Sequence, residues 1–123
     1  MEGVNNFYEL EVWKNSHLLV LEVYKITKNF PQSEIFGIVN QLRRATSSIT
    51  ANIAEGFERY HYKDKIKFYY QARGSTAEVQ NFLILSRDLG YINSDVCGSL
   101  GTRAKRSMQL INGLIRATGK HLN

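Results

Sequence analysis

Apolar residues recur at three- and four-residue intervals in four stretches of this chain, and polar or turn-forming residues separate the stretches. In the first, Trp13, Val20, Leu21, Tyr24 and Phe30 form a stripe that Leu18 and Val23 broaden. A band that wide suits a helix touching more than one neighbour. In the second, Ile35, Val39, Leu42, Ile49 and Ile53 keep the helical interval, with Ala45 and Ala54 between them, and no alternation of period two fits. The third carries Ile66, Tyr69, Tyr70, Val79, Phe82, Leu83 and Leu89. The fourth carries Val96, Leu100, Ala104, Leu110, Ile111, Leu114 and Ile115. The spacing predicts helices over residues 10–30, 33–60, 63–89 and 94–118, after a short frayed segment 1–9. Pro31 ends the first helix and, with Ser33 as a cap, starts the second. Gly90 stops the third through a left-handed cap, and Asn93 or Ser94 caps the fourth. Short loops make neighbours antiparallel. The expected fold is all-α, one domain over residues 1–123, an up-down-up-down four-helix bundle.

The second helix is unusual in its middle. Ala45, Thr46, Ser47, Ser48, Ala51, Ala54 and Gly56 are all small, so a neighbouring helix can come close along that face. With the next turn centred near His61 and Tyr62, antiparallel pairing sets Ile49 against Gly74 and Ala45 against Glu78. A mid-helix glycine costs about 1 kcal/mol relative to alanine, so Gly74 is expected to be the point of close approach. The same register brings Glu78 within reach of Arg43 or Arg44. Arg43, Arg44, Asn52, Glu55, Arg73 and Glu78 form the best polar constellation in the chain. Such groups serve either as a site or as a hydrogen-bonding network that fixes how helices pack, within a subunit or across an interface; the structural role is favoured.

Composition narrows the class. The chain has 123 residues, enough for one domain that buries roughly two-thirds of its unfolded surface, and 43% of them are apolar. A single proline leaves long helices uninterrupted. Cys97 is the sole cysteine, so no internal disulfide is possible and a zinc set is lacking. A reducing compartment fits that usage, and with no apolar run near membrane-spanning length the expected location is the cytoplasm, away from membranes. The net charge is +5, and the excess falls late: residues 62–90 carry +2 and residues from 93 onward carry +4. Such an excess favours polyanionic partners without requiring one.

Enzymatic motifs are absent: there is no nucleophile elbow, no phosphate-binding loop and no zinc-protease helix. His17, His61 and His121 are scattered. Glu55 and Glu58 have no histidine at ligand spacing, so neither a metal nor another cofactor is expected. The remaining feature is cationic. In the predicted topology one end of the bundle gathers Lys14, Arg59, Lys63, Lys65, Lys67, Arg116 and Lys120, interleaved with Trp13, Tyr60, His61 and Tyr62. Cations there can neutralise phosphates while exposed rings stack on bases. Equally, cations near helix C-termini offset the dipole and keep a protein soluble.

The run Gln41-Leu42-Arg43-Arg44-Ala45-Thr46-Ser47-Ser48-Ile49-Thr50-Ala51-Asn52-Ile53-Ala54-Glu55-Gly56 resembles the signature of the four-helix-bundle proteins encoded in intervening sequences of bacterial 23S rRNA genes. Further matches are Leu10-Glu11-Val12-Trp13, Phe30-Pro31 with Glu34-Ile35-Phe36-Gly37, Ala72-Arg73-Gly74-Ser75 and Leu89-Gly90-Tyr91, together covering about residues 8–92 in the family's order. Where that family often has a proline in its second helix, this chain has Thr50-Ala51, so a straighter helix is expected. The resemblance implies a non-enzymatic homo-oligomer, pentameric in relatives, that contacts RNA or DNA through basic residues. A related group, the accessory proteins of diversity-generating retroelements, implies a reverse transcriptase as a possible partner. The alternative is an oligomeric scaffold whose partner is a protein. A ring interface would be marked by exposed apolar residues on both sides of helix one or helix four.

Overall fold

A computed structural model describes residues 3–122. A 3-10 turn over Phe7–Glu9 leads into α1, Glu11–Thr27; the Glu9 carboxylate accepts the Asn5 and Asn6 amides at 2.9 and 3.1 Å. Those two backbone bonds hold its pKa below the ordinary carboxylate value. After α1 come a 3-10 turn, Gln32–Glu34, and a single π-helical turn, Ile35–Val39, before α2, Asn40–Glu58. The expected helix from residue 33 is therefore broken. Gly37 takes non-helical angles (φ −105°, ψ −118°), and Ser33 makes no capping bond. Across Thr50-Ala51, by contrast, α2 runs without interruption.

Two helices complete the fold: α3, Tyr62–Asp88, and α4, Ser94–Gly119. Gly90 (φ 81°) closes α3 as expected: its amide bonds Arg87 O at 3.0 Å, and the Tyr91 amide bonds Ser86 O at 2.9 Å. This is the paired-carbonyl arrangement that a left-handed residue makes possible after a helix. Asn93 caps α4, its side-chain oxygen accepting from the Val96 amide at 2.8 Å.

Each helix contributes one stripe to a shared core. On α1 the buried positions are Val12, Ser16, Leu19, Val23 and Thr27, while Leu21 and Tyr24 are exposed. A two-residue step turns a helix by about 200°, so Leu21 lies opposite Leu19, and part of the predicted stripe faces solvent. Tyr70, one residue out of phase with buried Tyr69, is exposed, and so is Leu89, which caps the end of α3. The predicted α4 stripe lies inward or at the edge of the core: Leu100, Ala104, Ile111, Leu114 and Ile115 are buried, and Val96 and Leu110 pack against them.

Consecutive helices pack together, and α4 also packs on α1, which closes the ring. Side-chain pairs give the directions. Ser48 and Gly56 of α2 meet Ser75 and Tyr69 of α3; Arg73 and Leu83 of α3 meet Asn112 and Cys97 of α4; Asn15 and Glu22 of α1 meet Ser107 and Arg103 of α4. In each pair the numbers rise along one helix as they fall along the other, so these neighbours are antiparallel.

The α2–α3 register matches the expectation, since Ser75 Oγ donates to Ser48 Oγ at 2.9 Å. The role given to Gly74 does not. Gly74 is exposed, and a Cβ built on it would meet nothing within 4 Å. The close approach is at Gly56, where an added Cβ would stand 2.5 Å from Tyr69 Cε1 and 3.1 Å from the Lys65 carbonyl oxygen. Register along the axis and rotation about it are separate variables, and only the first follows from where the turn lies.

Candidate nucleic-acid interface

One end of the bundle holds the turn between α2 and α3 and the last turn of α4, tied together by the Tyr62 ring stacked on His121 (4.2 Å between centroids, 13° between planes). The 3-10 turn before α1 packs on both α1 and α2, and Leu10 enters the core. Lys14 therefore starts near the same end.

The seven cations expected there play different parts. Lys65 is turned inward: its Nζ donates to Phe57 O at 2.6 Å and Gly56 O at 3.4 Å, capping α2, and it lies 5.5 Å from the Phe57 ring. Burial lowers its pKa, with Glu58 opposing the shift. Such a lysine supports the turn instead of presenting charge to a ligand. Arg59 is half-engaged, paired with Glu55 at 3.2 Å and lying over the Phe68 ring at 4.7 Å. Lys14, Lys63, Lys67, Arg116 and Lys120 are exposed, and none of them donates to a protein acceptor among the described residues. Lys63 and Lys67 are four residues apart and share a helix face.

The rings there differ in the same way. Trp13 is half-buried, stacked on His17 at 4.5 Å and edge-on to Phe7 at 5.7 Å. Tyr60 is 88% exposed and Tyr62 is 43% exposed. Behind Tyr62 a slot of about 190 Å³ opens between α3, α4 and the end of α2, floored by Phe57, Tyr69, Leu114 and Thr118 and rimmed by Tyr62, Ala117 and His121. Burial pushes the Tyr69 phenol up to about 12 from 10.0.

The polar set of α2 and α3 does not converge. Arg43 bonds Thr27 Oγ1 at 2.8 Å and Tyr24 O at 3.3 Å and covers the Tyr24 ring, joining α2 to α1. Asn52 donates to Ser48 O and Ser48 Oγ, at 2.9 and 3.0 Å. Arg73 reaches Asn112 Oδ1 on α4 at 3.3 Å, and Glu55 turns to Arg59. Arg44 and Glu78 line one shallow polar hollow with Ser48 and Ser75, yet they form no ion pair. Beyond the Lys65 cap at the turn, α2 and α3 are linked by the hydroxyl pair Ser48–Ser75.

A second polar cluster has no counterpart among the expected sites. Between α1 and α4 the Ser16 and Ser107 hydroxyls, both fully buried, share a bond of 2.8 Å. Asn15 Nδ2 donates to Ser107 Oγ at 2.8 Å and Arg103 O at 3.0 Å, and Arg103 pairs with Glu22 at 2.6 Å. The available signal was a serine at a core interval on each helix, Ser16 between Val12 and Leu19 and Ser107 between Ala104 and Ile111.

No group of three or more His, Cys, Asp or Glu side chains among the described residues is placed to hold a metal ion. Among the described residues no helix is long and apolar enough to cross a membrane. Exposed apolar side chains gather on α1 (Leu18, Leu21, Tyr24) and α3 (Tyr62, Tyr70, Ile84, Leu85); among the described residues α4 has no large one.

The family model described as 23S rRNA-intervening sequence protein matches residues 8–113. A crystal structure of a protein with unknown function from the S23 ribosomal protein family of Bacteroides thetaiotaomicron has a similar fold. Its TM-score is 0.76 at 23% sequence identity, over 85% of this chain and 97% of that one. No curated protein matches the chain.

Proposed function

This chain belongs to the 23S rRNA-intervening sequence protein family, and from that premise we propose that it is a non-enzymatic, cytoplasmic homo-oligomer that binds RNA or DNA through one basic end. The observation that carries the reading is the group of five exposed cations, Lys14, Lys63, Lys67, Arg116 and Lys120, without acceptors among the described residues, beside the exposed rings of Tyr60 and Tyr62. Unpaired cations can each release a counterion from a phosphate backbone. Of the acids near that end among the described residues, Glu55 is held by Arg59 and Glu9 by backbone amides, while Glu11, Glu58 and Asp64 offset the cations. Arg59 adds its charge only at the expense of its pair with Glu55, and Lys65 contributes by shaping the turn.

Self-association rests on the apolar surface of α1 and α3. Leu18 and Leu21 are 46% and 53% exposed, and Ile84, Leu85 and Leu89 are 49%, 41% and 49% exposed. A pentamer is the assembly expected, and light scattering reports it directly.

The test of binding is a salt series on a structured RNA and on duplex DNA. Affinity should fall linearly in log–log form as salt rises. A Lys63→Glu/Lys67→Glu variant should bind at least tenfold more weakly with an unchanged melting curve. Lys65 is left in place because reversing it would unmake the α2 cap. The same apolar surface also favours a second reading, a scaffold for a protein partner. Absence of binding at moderate salt, with assembly intact, selects that one.

A further inference from the structure

We infer that the slot behind Tyr62 receives an unstacked nucleobase, so that the basic end takes single-stranded nucleic acid in preference to duplex; this rests on the reading above. The slot lies between α3, α4 and the end of α2 and measures about 190 Å³, room for roughly six waters, a scale that admits one planar ring system. Its floor is aromatic and apolar at Phe57, Tyr69 and Leu114 and polar at Thr118, so the lining is mixed. At its mouth Tyr62 lies flat on His121, two rings already set in the geometry a base would extend.

The cations of this end stand outside the slot, on the faces of α3 and α4 turned away from its lining: Lys63 and Lys67 are each two residues from slot-lining Lys65, and Arg116 is two residues from Leu114. On α3, Lys63 follows Tyr62 directly and Lys67 stands one turn on. On α4, Arg116 precedes the rim residue Ala117, and Lys120 precedes His121. A strand whose base enters the slot has its phosphates outside it, at the tip of the bundle where these cations stand. The one cation that lines the slot itself, Lys65, is engaged with Phe57 O and Gly56 O, which leaves the interior suited to a flat uncharged ring. In a duplex the base faces are covered by their neighbours, and neither the slot nor the stacked pair can reach them. Only an unpaired base presents a free face and edge together.

The measurement is anisotropy of labelled oligonucleotides of equal length and charge: a single strand, a duplex, and an abasic strand with the same backbone. Wild type should bind the single strand at least tenfold more tightly than either of the others. Tyr62→Ala should lose about tenfold on the single strand, within the range of one base–aromatic stack, and almost nothing on the abasic strand. Tyr62→Phe should restore binding. Ala117→Trp, which fills the rim from an exposed position and removes no contact, should show the same loss, so a folding defect in one variant cannot decide the matter. If duplex and abasic strand bind as well as the single strand and both slot variants are neutral, the slot has no such role while the basic end keeps its own. If no probe binds to wild type, both readings fall together.

Discussion

The seams between α2 and α3 and between α1 and α4 do the same job by different physics. At the basic end α2 and α3 meet through shape: Gly56 has no side chain, and the Tyr69 ring and the Lys65 carbonyl occupy the space a methyl would need. Between α1 and α4 the contact is polar, with Ser16 and Ser107 bonded in the core and Asn15, Arg103 and Glu22 continuing the link toward the surface. Both seams fix one helix against its neighbour. A seam made by shape is intolerant of added atoms, whereas a seam made by hydrogen bonds is intolerant of losing one partner, because the other is then buried with nothing to bond.

Gly56→Ala should have the largest effect. Alanine is the better helix former by about 1 kcal/mol, but the methyl overlaps a buried ring and a backbone oxygen. The net loss should be roughly 3 kcal/mol, at the upper end of overpacking, read by urea unfolding. A neutral result would mean the seam is looser than its geometry.

Alkaline pH should act next, through Tyr69 in that same seam. Its folded pKa is raised from 10.0 to about 12 by burial. The folded state thus keeps a proton that the unfolded state has lost, and stability falls with rising pH in this window. The contribution is whole below pH 10.0 and is lost as pH climbs to about 12, amounting to at most about 2.7 kcal/mol. Tyr69→Phe should flatten that part of the wild-type pH profile; an unchanged profile would place the transition elsewhere.

In the polar seam, Ser107→Ala leaves the Ser16 hydroxyl buried without its partner and should cost roughly 1–2 kcal/mol. Adding Ser16→Ala should cost little more, because both hydroxyls are then gone. Strict additivity of the two would show that they do not act as a pair.

The smallest effect, and the one of opposite sign, is expected at Gly74. It is exposed in the interior of α3 with open space around it, so Gly74→Ala should stabilise the protein by roughly 0.5–1 kcal/mol. Measured beside Gly56→Ala, it tests whether close approach belongs to one glycine or to both.

Much of the fold could be read before the structure, for local reasons. Gly90 and Asn93 end and begin helices through bonds to backbone groups a few residues away, and both do so here. The α2–α3 register was legible because a short turn leaves an antiparallel pair little freedom along its axis. Gly37 was less so. Its neighbours keep an apolar interval on both sides, and that interval does not record that the chain passes through a π-helical turn between them. Within the candidate interface, Lys63, Lys67, Arg116 and Lys120 were placed at one end from topology alone, but Lys65 looked like its neighbours. Only the three-dimensional turn shows its ammonium engaged with the last carbonyls of α2.

Taken by itself, the order of residues determined four helices, most of their limits, the end of the bundle where positive charge collects, and the family. Those properties depend on interactions within a few residues, on composition, or on turn length. Tertiary structure alone decided how far each helix is rotated about its own axis. That rotation exposed Gly74 and Leu21, buried Gly56 against Tyr69, and joined Ser16 to Ser107 across the core. The phase of a helix is set by the simultaneous fit of all its neighbours, a condition that no single stretch of sequence contains.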